Sequence, residues 1–354
     1  MEFKQEQEIY KYRLLRKLGT GGFGEVWLAC DNTTNREVAL KILPSQFSDV
    51  AIKLEESRNG NRVSHKNLLQ IYCADVVNFS GGTLVLIAQE FQKGGTIVNH
   101  LNAHNFLPLP DLLRYLKEIL MGLEYLHNAD VIHNDIKPGN ILIADDGRAI
   151  LSDYGISTVS EQCKPTSAPN AYCIHAAPET LLTNTISASS DIYQLGCTAY
   201  RLANGIGSLK CNWDKDPKKF LVDKNIGKIF TSGTMPYVPK KLLQIIKKAT
   251  NVNPKKRYAS AIEMKHDLDK ICFPGYWTTN PSNTSELIGY GKNYSYTYEI
   301  IPKANNTFDF VAHQTKNDNG RTTKITAFCK NNLSSKDQDR LLKDFFEFVI
   351  NNAK

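Results

Sequence analysis

"VIHNDIKPGNILIADDGRAILSDYG", residues 131–155, is the stretch that decides how this sequence folds. Two apolar triplets, Ile141 to Ile143 and Ala149 to Leu151, flank the turn-forming Asp145-Asp146-Gly147. Apolar triplets around a Gly-containing turn predict a small β-hairpin. The strands of a hairpin run back beside each other, so Asn140 and Asp153 leave from its open end. Neighbouring strands lie about 4.8 Å apart, close enough for flanking side chains to converge. An amide oxygen and a carboxylate at that separation make half a shell for a hard divalent cation such as Mg²⁺, which prefers oxygen ligands and completes its octahedron with water or phosphate. Asp135 and Lys137 sit one loop upstream, within reach of whatever the metal holds. The bland alternative is a surface loop with scattered polar residues, and the rest of the chain has to decide.

The chain has 354 residues, 42% hydrophobic and 22% charged, an ordinary soluble composition long enough for two or three domains. Its net charge of +7 permits weak attraction to anions. Lys and Arg are dispersed, and the densest clusters ("DPKKF", "PKKLLQIIKK", "NPKKR") are short. With no aromatic-plus-basic signature, no clear nucleic-acid site is argued. No run of about 18 uninterrupted apolar residues appears, so no membrane span is expected. The start, "MEFKQEQEIYKYR", is charged and lacks an apolar signal core. Eight cysteines (Cys30, Cys73, Cys163, Cys173, Cys197, Cys211, Cys272, Cys329) are scattered without a CxxC pair. That pattern predicts reduced thiols and a cytoplasmic protein rather than a disulfide frame or a zinc site.

Residues 10–92 read as a strand-rich small lobe. "YRLLRKLG", "EVWLAC" and "REVALKIL" are predicted strands joined by turns, followed by a helix around residues 50–63 and strands at "LLQIYCADV" and "TLVLIAQEF". Residues 93–272 are helix-rich: "LPDLLRYLKEILMGLEYLHNA" carries apolar residues at three- and four-residue spacing, and helical patterns return near 190–204, 239–250 and 259–272. Residues 273–292 have the Pro, Gly, Asn and Ser content of a linker. Residues 293–354 then read as a small βββα domain: strands "YSYTYEIIPK", "NTFDFVAHQTK" and "RTTKITAFCK", and a closing amphipathic helix capped by Ser334 or Ser335.

"GTGGFGEVW", residues 19–27, lies between two strand patterns, and Gly19, Gly21, Gly22 and Gly24 let a turn bend over an anionic ligand with its N–H groups facing phosphates. It lacks the Gly-Lys-Ser/Thr ending of a P-loop, and no helix follows as a dinucleotide fold requires. Lys41 alternates with Leu40 and Ile42 on the next strand. Alone it is an exposed strand lysine. With glycines before it and carboxylates after it, a phosphate contact is the better expectation, and Glu56, then Glu55, is the candidate acid to position it.

The ordered set of Gly-rich turn, "VALK", "HNDIKPGN", "DYG", "APE" and "SDIYQLG" resembles the eukaryotic-type (Hanks-type) serine/threonine protein kinases over residues 10–272, and "DIYQLG" is similar to their bacterial branch. The resemblance implies an α+β chain with the bilobal protein-kinase fold over residues 1–272. It implies an enzyme that transfers the γ-phosphate of ATP to a serine or threonine of a protein substrate and of itself, with Mg²⁺ or Mn²⁺. By the same resemblance Asp135 is the catalytic base and Lys137 steadies the γ-phosphate. Asn140 and Asp153 hold metal, and Lys41, paired with Glu56, grips the α- and β-phosphates. Leu18, Val26, Ala39 and Leu142 would sandwich adenine, with backbone groups of Glu90 and Gln92 in "AQEFQKGG" bonding the base. Glu179 and Arg257 would form a structural ion pair, and Asp191 would brace the catalytic loop. Two other readings compete. A catalytically dead scaffold conflicts with the joint retention of Lys41, Asp135, Asn140 and Asp153. A small-molecule phosphotransferase shares "HNDIKPGNIL" but not the full glycine turn, "APE" and Arg257. The C-terminal domain suits either a substrate- or partner-recruiting module or a structural cap.

The sequence departs from the family pattern in three places. Tyr154 replaces the usual Phe. Gly60, one turn after Glu56, stands where a large apolar residue is usual, which weakens that helix unless another element, such as residues 276–354, locks it. Asn134 stands where most activated kinases carry Arg, so a phosphate on the activation segment loses its usual cation. Removing the hydroxyls of Thr158, Thr166, Ser167 and Tyr172 together is therefore expected to leave phosphotransfer largely intact, and abolished activity in a radiolabel assay would overturn this.

Overall fold

The computed structural model describes residues 2–21, 24–45, 63–153, 158–159, 166–167, 174–209, 217–225, 229–230 and 235–353. The chain divides into two compact units. The first comprises Met1–Asn99, Lys117–Leu195 and Val252–Glu263, and the second His100–Leu116, Gly196–Asn251 and Met264–Lys354. No described helix is long and apolar enough to cross a membrane.

The first unit opens with strands β1 (Glu8–Ile9), β2 (Tyr12–Gly21), β3 (Gly24–Asp31), β4 (Arg36–Ser45), β5 (Ile71–Phe79) and β6 (Gly82–Gln89). They form an antiparallel sheet in the order β1-β2-β3-β4-β6-β5. Alternation fixes which face is inside: Leu40 and Ile42 are fully buried with Trp27, Ala29, Val38, Leu84, Leu86 and Ala88, while Lys41 between them faces the other way. A Cβ on Gly24 would lie 2.1 Å from the Ile42 carbonyl oxygen, so only glycine lets β3 begin this close to β4.

The long helix Leu109–Asn128 buries Leu112, Leu116, Ile119, Leu120, Leu123 and Leu126 on one stripe, as its spacing predicts. After it come β7 (Val131–Ile132), β8 (Ile141–Ile143) and β9 (Ala149–Leu151). The expected hairpin has Ile141 opposite Leu151 and Ile143 opposite Ala149, turned by Gly147 at φ 80°. Strand β10 (Thr158–Val159) pairs with β7, and β11 (Thr166–Ser167) with β12 (Thr185–Ile186). Helix Ala188–Asn204 begins with Ser190 Oγ accepting from the Ser187 N–H at 2.9 Å. Two short helices, Pro178–Thr183 and Pro217–Asn225, have too few turns to show a period in sequence.

In the second unit, β13 (Tyr276–Asn280), β14 (Asn283–Tyr290), β15 (Tyr294–Pro302), β16 (Phe308–Lys316), β17 (Thr322–Lys324) and β18 (Lys330–Leu333) form one sheet ordered β13-β14-β15-β16-β17, with β18 also pairing β16. This corrects two expectations. Residues 276–290, read as linker, are two paired strands whose "NPSN" is the hairpin turn, because Trp277 and Gly289 face the core. The third strand expected at residues 321–330 is broken by a 3₁₀ turn, Thr326–Phe328, which brings Phe328 to 5.1 Å from Phe345. Helix Ser335–Asn352, capped by Ser334 Oγ accepting from the Asp337 N–H, covers the sheet with Phe345, Phe346, Val349 and Ile350. Trp277 lies 4.2 Å from the Phe346 ring, and Tyr237 stacks on Phe106 at 4.2 Å and reaches Phe346 at 6.2 Å.

Residues 50–62 of the helix expected over 50–63, with Glu55, Glu56 and Gly60, lie outside the described residues, as do Gly22, Tyr154 and Tyr172 and the bracing of the Glu56 helix by residues 276–354. The C-terminal sheet yields a direct check. Trp277→Ala is expected to lower its stability by about 3–5 kcal/mol, seen as a lower urea midpoint by circular dichroism. An unchanged midpoint would show that the rings do not hold the sheet.

Candidate active site

The loop from β7 to β8 carries His133, Asn134, Asp135, Lys137 and Asn140, and it is held from below by the first turns of helix Ala188–Asn204. Asp191, with no exposed surface, accepts from the N–H groups of His133 at 2.9 Å and Asn134 at 2.8 Å, and its Oδ2 lies 2.8 Å from His127 Nε2. A buried carboxylate is tolerated only when its lone pairs are filled in this way. One turn later Gln194 accepts from the Ile136 N–H at 2.8 Å and donates to the Asn134 carbonyl at 2.9 Å. His133 Nδ1 accepts from the Asp135 N–H, so its proton sits on Nε2, which donates to the Ser152 carbonyl at 3.1 Å. Burial holds the His133 ring below its ordinary pKa, which keeps that tautomer neutral, against the pull of Asp191 and Asp135. Asn134 has φ 66°, the left-handed region that asparagine tolerates better than most residues.

Asp135 is buried. Its Oδ2 accepts from Lys137 Nζ at 2.7 Å and Asn140 Nδ2 at 2.8 Å. The same Asn140 amide donates to the Asp135 carbonyl at 2.8 Å. Oδ1 is buried with no hydrogen-bond partner among the described residues. Burial pushes the Asp135 carboxyl above the usual carboxylate range, with Lys137 opposing and nearby Asp153 adding to the rise.

Asp153 is set the opposite way. Burial alone would raise it, but Lys41 Nζ, 2.6 Å from Oδ1, holds the carboxyl below the usual range, helped by Lys137. The open end of the hairpin closes as the strand spacing predicts: Ser152 donates to the Asn140 carbonyl through both N–H, at 2.9 Å, and Oγ, at 3.0 Å. The Asn140 amide nitrogen is committed to Asp135, which leaves its side-chain oxygen as an acceptor at the hairpin end from which Asp153 departs. An all-oxygen pair suits a hard cation that takes its other ligands from water or phosphate. No group of three or more His, Cys, Asp or Glu side chains that could hold a metal occurs among the described residues.

The remaining predicted residues line the sheet side. Val26 pairs with Lys41 across β3 and β4, and Ala39 with Gln89 across β4 and β6. Leu18 is half-buried and Gly19 exposed on β2, opposite β3. Gly95 accepts from the Ile143 N–H at 2.9 Å, and Thr96 bridges Leu142, so the segment after β6 is stitched to the hairpin and Leu142 lies against it. A Cβ on Gly94 would lie 2.4 Å from the Ile143 carbonyl oxygen. The Glu90 N–H donates to the Gln70 carbonyl and the Gln92 carbonyl accepts from Gly95. Glu179 and Arg257 form the expected pair, bidentate at 2.6 and 2.7 Å, with the Arg257 side chain fully buried. Glu56 and Gly22 lie outside the described residues.

Sequence reasoning missed Gln194, His133, His127 and Ser152. Gln194 had one available signal: it sits three residues after Asp191, hence on the same helix face.

The chain matches the protein kinase domain family over residues 12–268. It is 28% identical over 273 residues to the probable serine/threonine-protein kinase PknB of Bifidobacterium longum, covering 73% of this chain and 39% of that protein. It is 32% identical over 203 residues to the serine/threonine-protein kinase PknA of Mycobacterium tuberculosis, covering 55% of this chain and 47% of that protein. To the serine/threonine-protein kinase PrkC of Bacillus subtilis it is 28% identical over 266 residues, 73% of this chain and 40% of the other. The matches thus span about two fifths to a half of the relatives' length.

The Lys41–Asp153 pair has a pH signature. Asp153 titrates below its unfolded value, so its contribution to stability is complete above the ordinary carboxylate range and is lost as pH falls through the depressed value. In Lys41→Met the Asp153 carboxyl should titrate at higher pH, read by carboxyl-carbon NMR, and the acid side of the stability profile should flatten. No upward movement would refute the coupling.

Proposed function

The chain belongs to the protein kinase family, and from that premise we propose that it is an ATP-dependent kinase acting on serine and threonine hydroxyls of protein, including its own. The supporting observation is Asp135 Oδ1, a buried carboxylate oxygen with no hydrogen-bond partner among the described residues, beside Lys137, Asn140 and Asp153. An unsatisfied buried acceptor costs roughly 1–3 kcal/mol, and an incoming hydroxyl would satisfy it.

In this reading Asp135 orients the substrate hydroxyl, whose oxygen attacks the γ-phosphorus of ATP. The bond from phosphorus to the β,γ-bridging oxygen breaks, ADP departs, and the hydroxyl proton passes to Asp135 and on to solvent. Lys137, already on Asp135 Oδ2, supplies positive charge where the transferring phosphoryl would sit. Lys41 grips the α- and β-phosphates. Its present partner, Asp153, would share its carboxylate with the metal. Asn140 and Asp153 would hold that metal, Mg²⁺ or Mn²⁺, which when bound neutralises charge on the phosphate oxygens. Val26, Ala39, Leu18 and Leu142 offer apolar walls for adenine. The Glu90 carbonyl and the Gln92 N–H would bond the base; the Glu90 N–H and the Gln92 carbonyl are engaged within the fold. The C-terminal sheet, joined through Tyr237, Phe106 and Phe346, acts as a structural part of its unit, which favours the cap over a tethered recruiting module.

Intact mass after incubation with Mg-ATP, before and after phosphatase, tests this beside an Asp135→Asn variant. Phosphate on the native chain alone, with label transferred to protein serine or threonine, is expected. Nucleotide binding without transfer by the native chain would favour a scaffold, and transfer to an amino sugar rather than protein would favour a small-molecule kinase.

A further inference from the structure

The two peptide units on either side of Asp135 have four polar groups, and all four are bonded. The Asp135 N–H donates to His133 Nδ1 and the Asp135 carbonyl accepts from Asn140. The other two, the Asn134 carbonyl and the Ile136 N–H, are both taken by one side chain, Gln194, at 2.9 and 2.8 Å. Gln194 is 1% exposed, and Asn134 and Ile136 are fully buried, so water does not compete for these bonds. The amide is rooted on the same helix face as Asp191, which holds the two preceding N–H groups.

We propose that Gln194 is a positioning residue for the reaction, an amide clamp that fixes both peptide planes flanking Asp135 and thereby the direction of its carboxylate. This rests on the kinase reading above. Each plane carries a bond to Gln194 at its far end and a bond to His133 or Asn140 at its near end. Neither can rotate about the Asp135 backbone without breaking one of them. Released from Gln194, the planes would swing and Asp135 Oδ1 would move with them. A misplacement of about 1 Å in a reacting group costs on the order of 10²-fold in rate. The clamp also bears on Asn134. Where an arginine and a phosphate would fix this loop from outside, here a buried amide fixes it from within, with no charge and no modification required.

The test uses the full chain and three variants. Gln194→Met keeps volume and removes both bonds. Gln194→Glu keeps the acceptor for Ile136 and removes the donor to Asn134. Gln194→Asn keeps the amide one methylene short. With rates expressed per Mg-ATP-binding site, so that unfolded protein is not counted, Gln194→Met should lower kcat by roughly 10- to 100-fold while KM for ATP stays within about twofold. Gln194→Glu should retain an intermediate kcat. If Gln194→Met does not fold, Gln194→Asn takes its place with the same two outcomes. A kcat per site within about twofold of native, or a loss carried by KM, would overturn the proposal by the same scale. Amide exchange at Ile136 gives a readout independent of turnover: protection should fall in Gln194→Met, and unchanged protection overturns the clamp. A native chain that binds Mg-ATP and transfers nothing defeats the kinase reading instead, and the exchange measurement then decides the clamp alone.

Discussion

A carboxylate with no access to water organises the site. Asp191 is fully buried, and an isolated charge there would be costly enough to neutralise or to break the fold. It is stable because two consecutive backbone N–H groups, of His133 and Asn134, and the ring of His127 point at it. That convergence demands a specific backbone. Asn134 has to enter the left-handed region so that successive amides turn inward, and the chain then leaves in the direction that carries Asp135, Lys137 and Asn140 outward. The helix that bears Asp191 is itself fixed at its base, where buried Arg257 bonds both oxygens of Glu179 and the Ser189 carbonyl. Loss of either partner would leave the other charge uncompensated.

From this shared platform two nearby carboxylates acquire opposite characters. Asp135 is raised because burial outweighs its contact with Lys137. Asp153 is lowered because Lys41 outweighs burial. Asp153 is thereby favoured in its charged form, whereas Asp135 holds its proton more readily than an ordinary carboxylate. Asn140 links the two: its side-chain nitrogen donates to Asp135 while its backbone carbonyl accepts from Ser152, the residue before Asp153.

Much of this was legible in the sequence because it follows from short periods. The hairpin β8–β9 and the strands around Lys41 are stated by two-residue alternation, and the helix Leu109–Asn128 by three- and four-residue spacing. Reading failed where composition and period disagree. Residues 276–290 are rich in Asn, Ser and Thr, yet they pair as β13 and β14, with Trp277 the buried residue of β13. The strand is broken at a 3₁₀ turn that sets the half-buried Phe328 ring against Phe345, a long-range contact that no local propensity announces. Gly24 looked like one of four equivalent phosphate-facing glycines, but the Ile42 carbonyl 2.1 Å from its missing Cβ shows a packing requirement of the sheet as well. The bracing residues were invisible for a different reason. Gln194, His127 and Ser152 are polar side chains whose partners lie 12 to 64 positions away, and only the fold brings them together.

Why an amide beneath the loop rather than a second charge follows from the same electrostatics. Asp191, Asp135, Asp153 and the neutral His133 already crowd this region, so another carboxylate would raise Asp135 further and a buried cation would pull it down. Gln194 supplies one donor and one acceptor, matching the one carbonyl and one N–H that remained, and it carries no charge into a water-poor space. An amide does not titrate, so the geometry it imposes is the same at every pH where the fold survives. The carboxylates can then be tuned by their own neighbours without the loop changing shape beneath them.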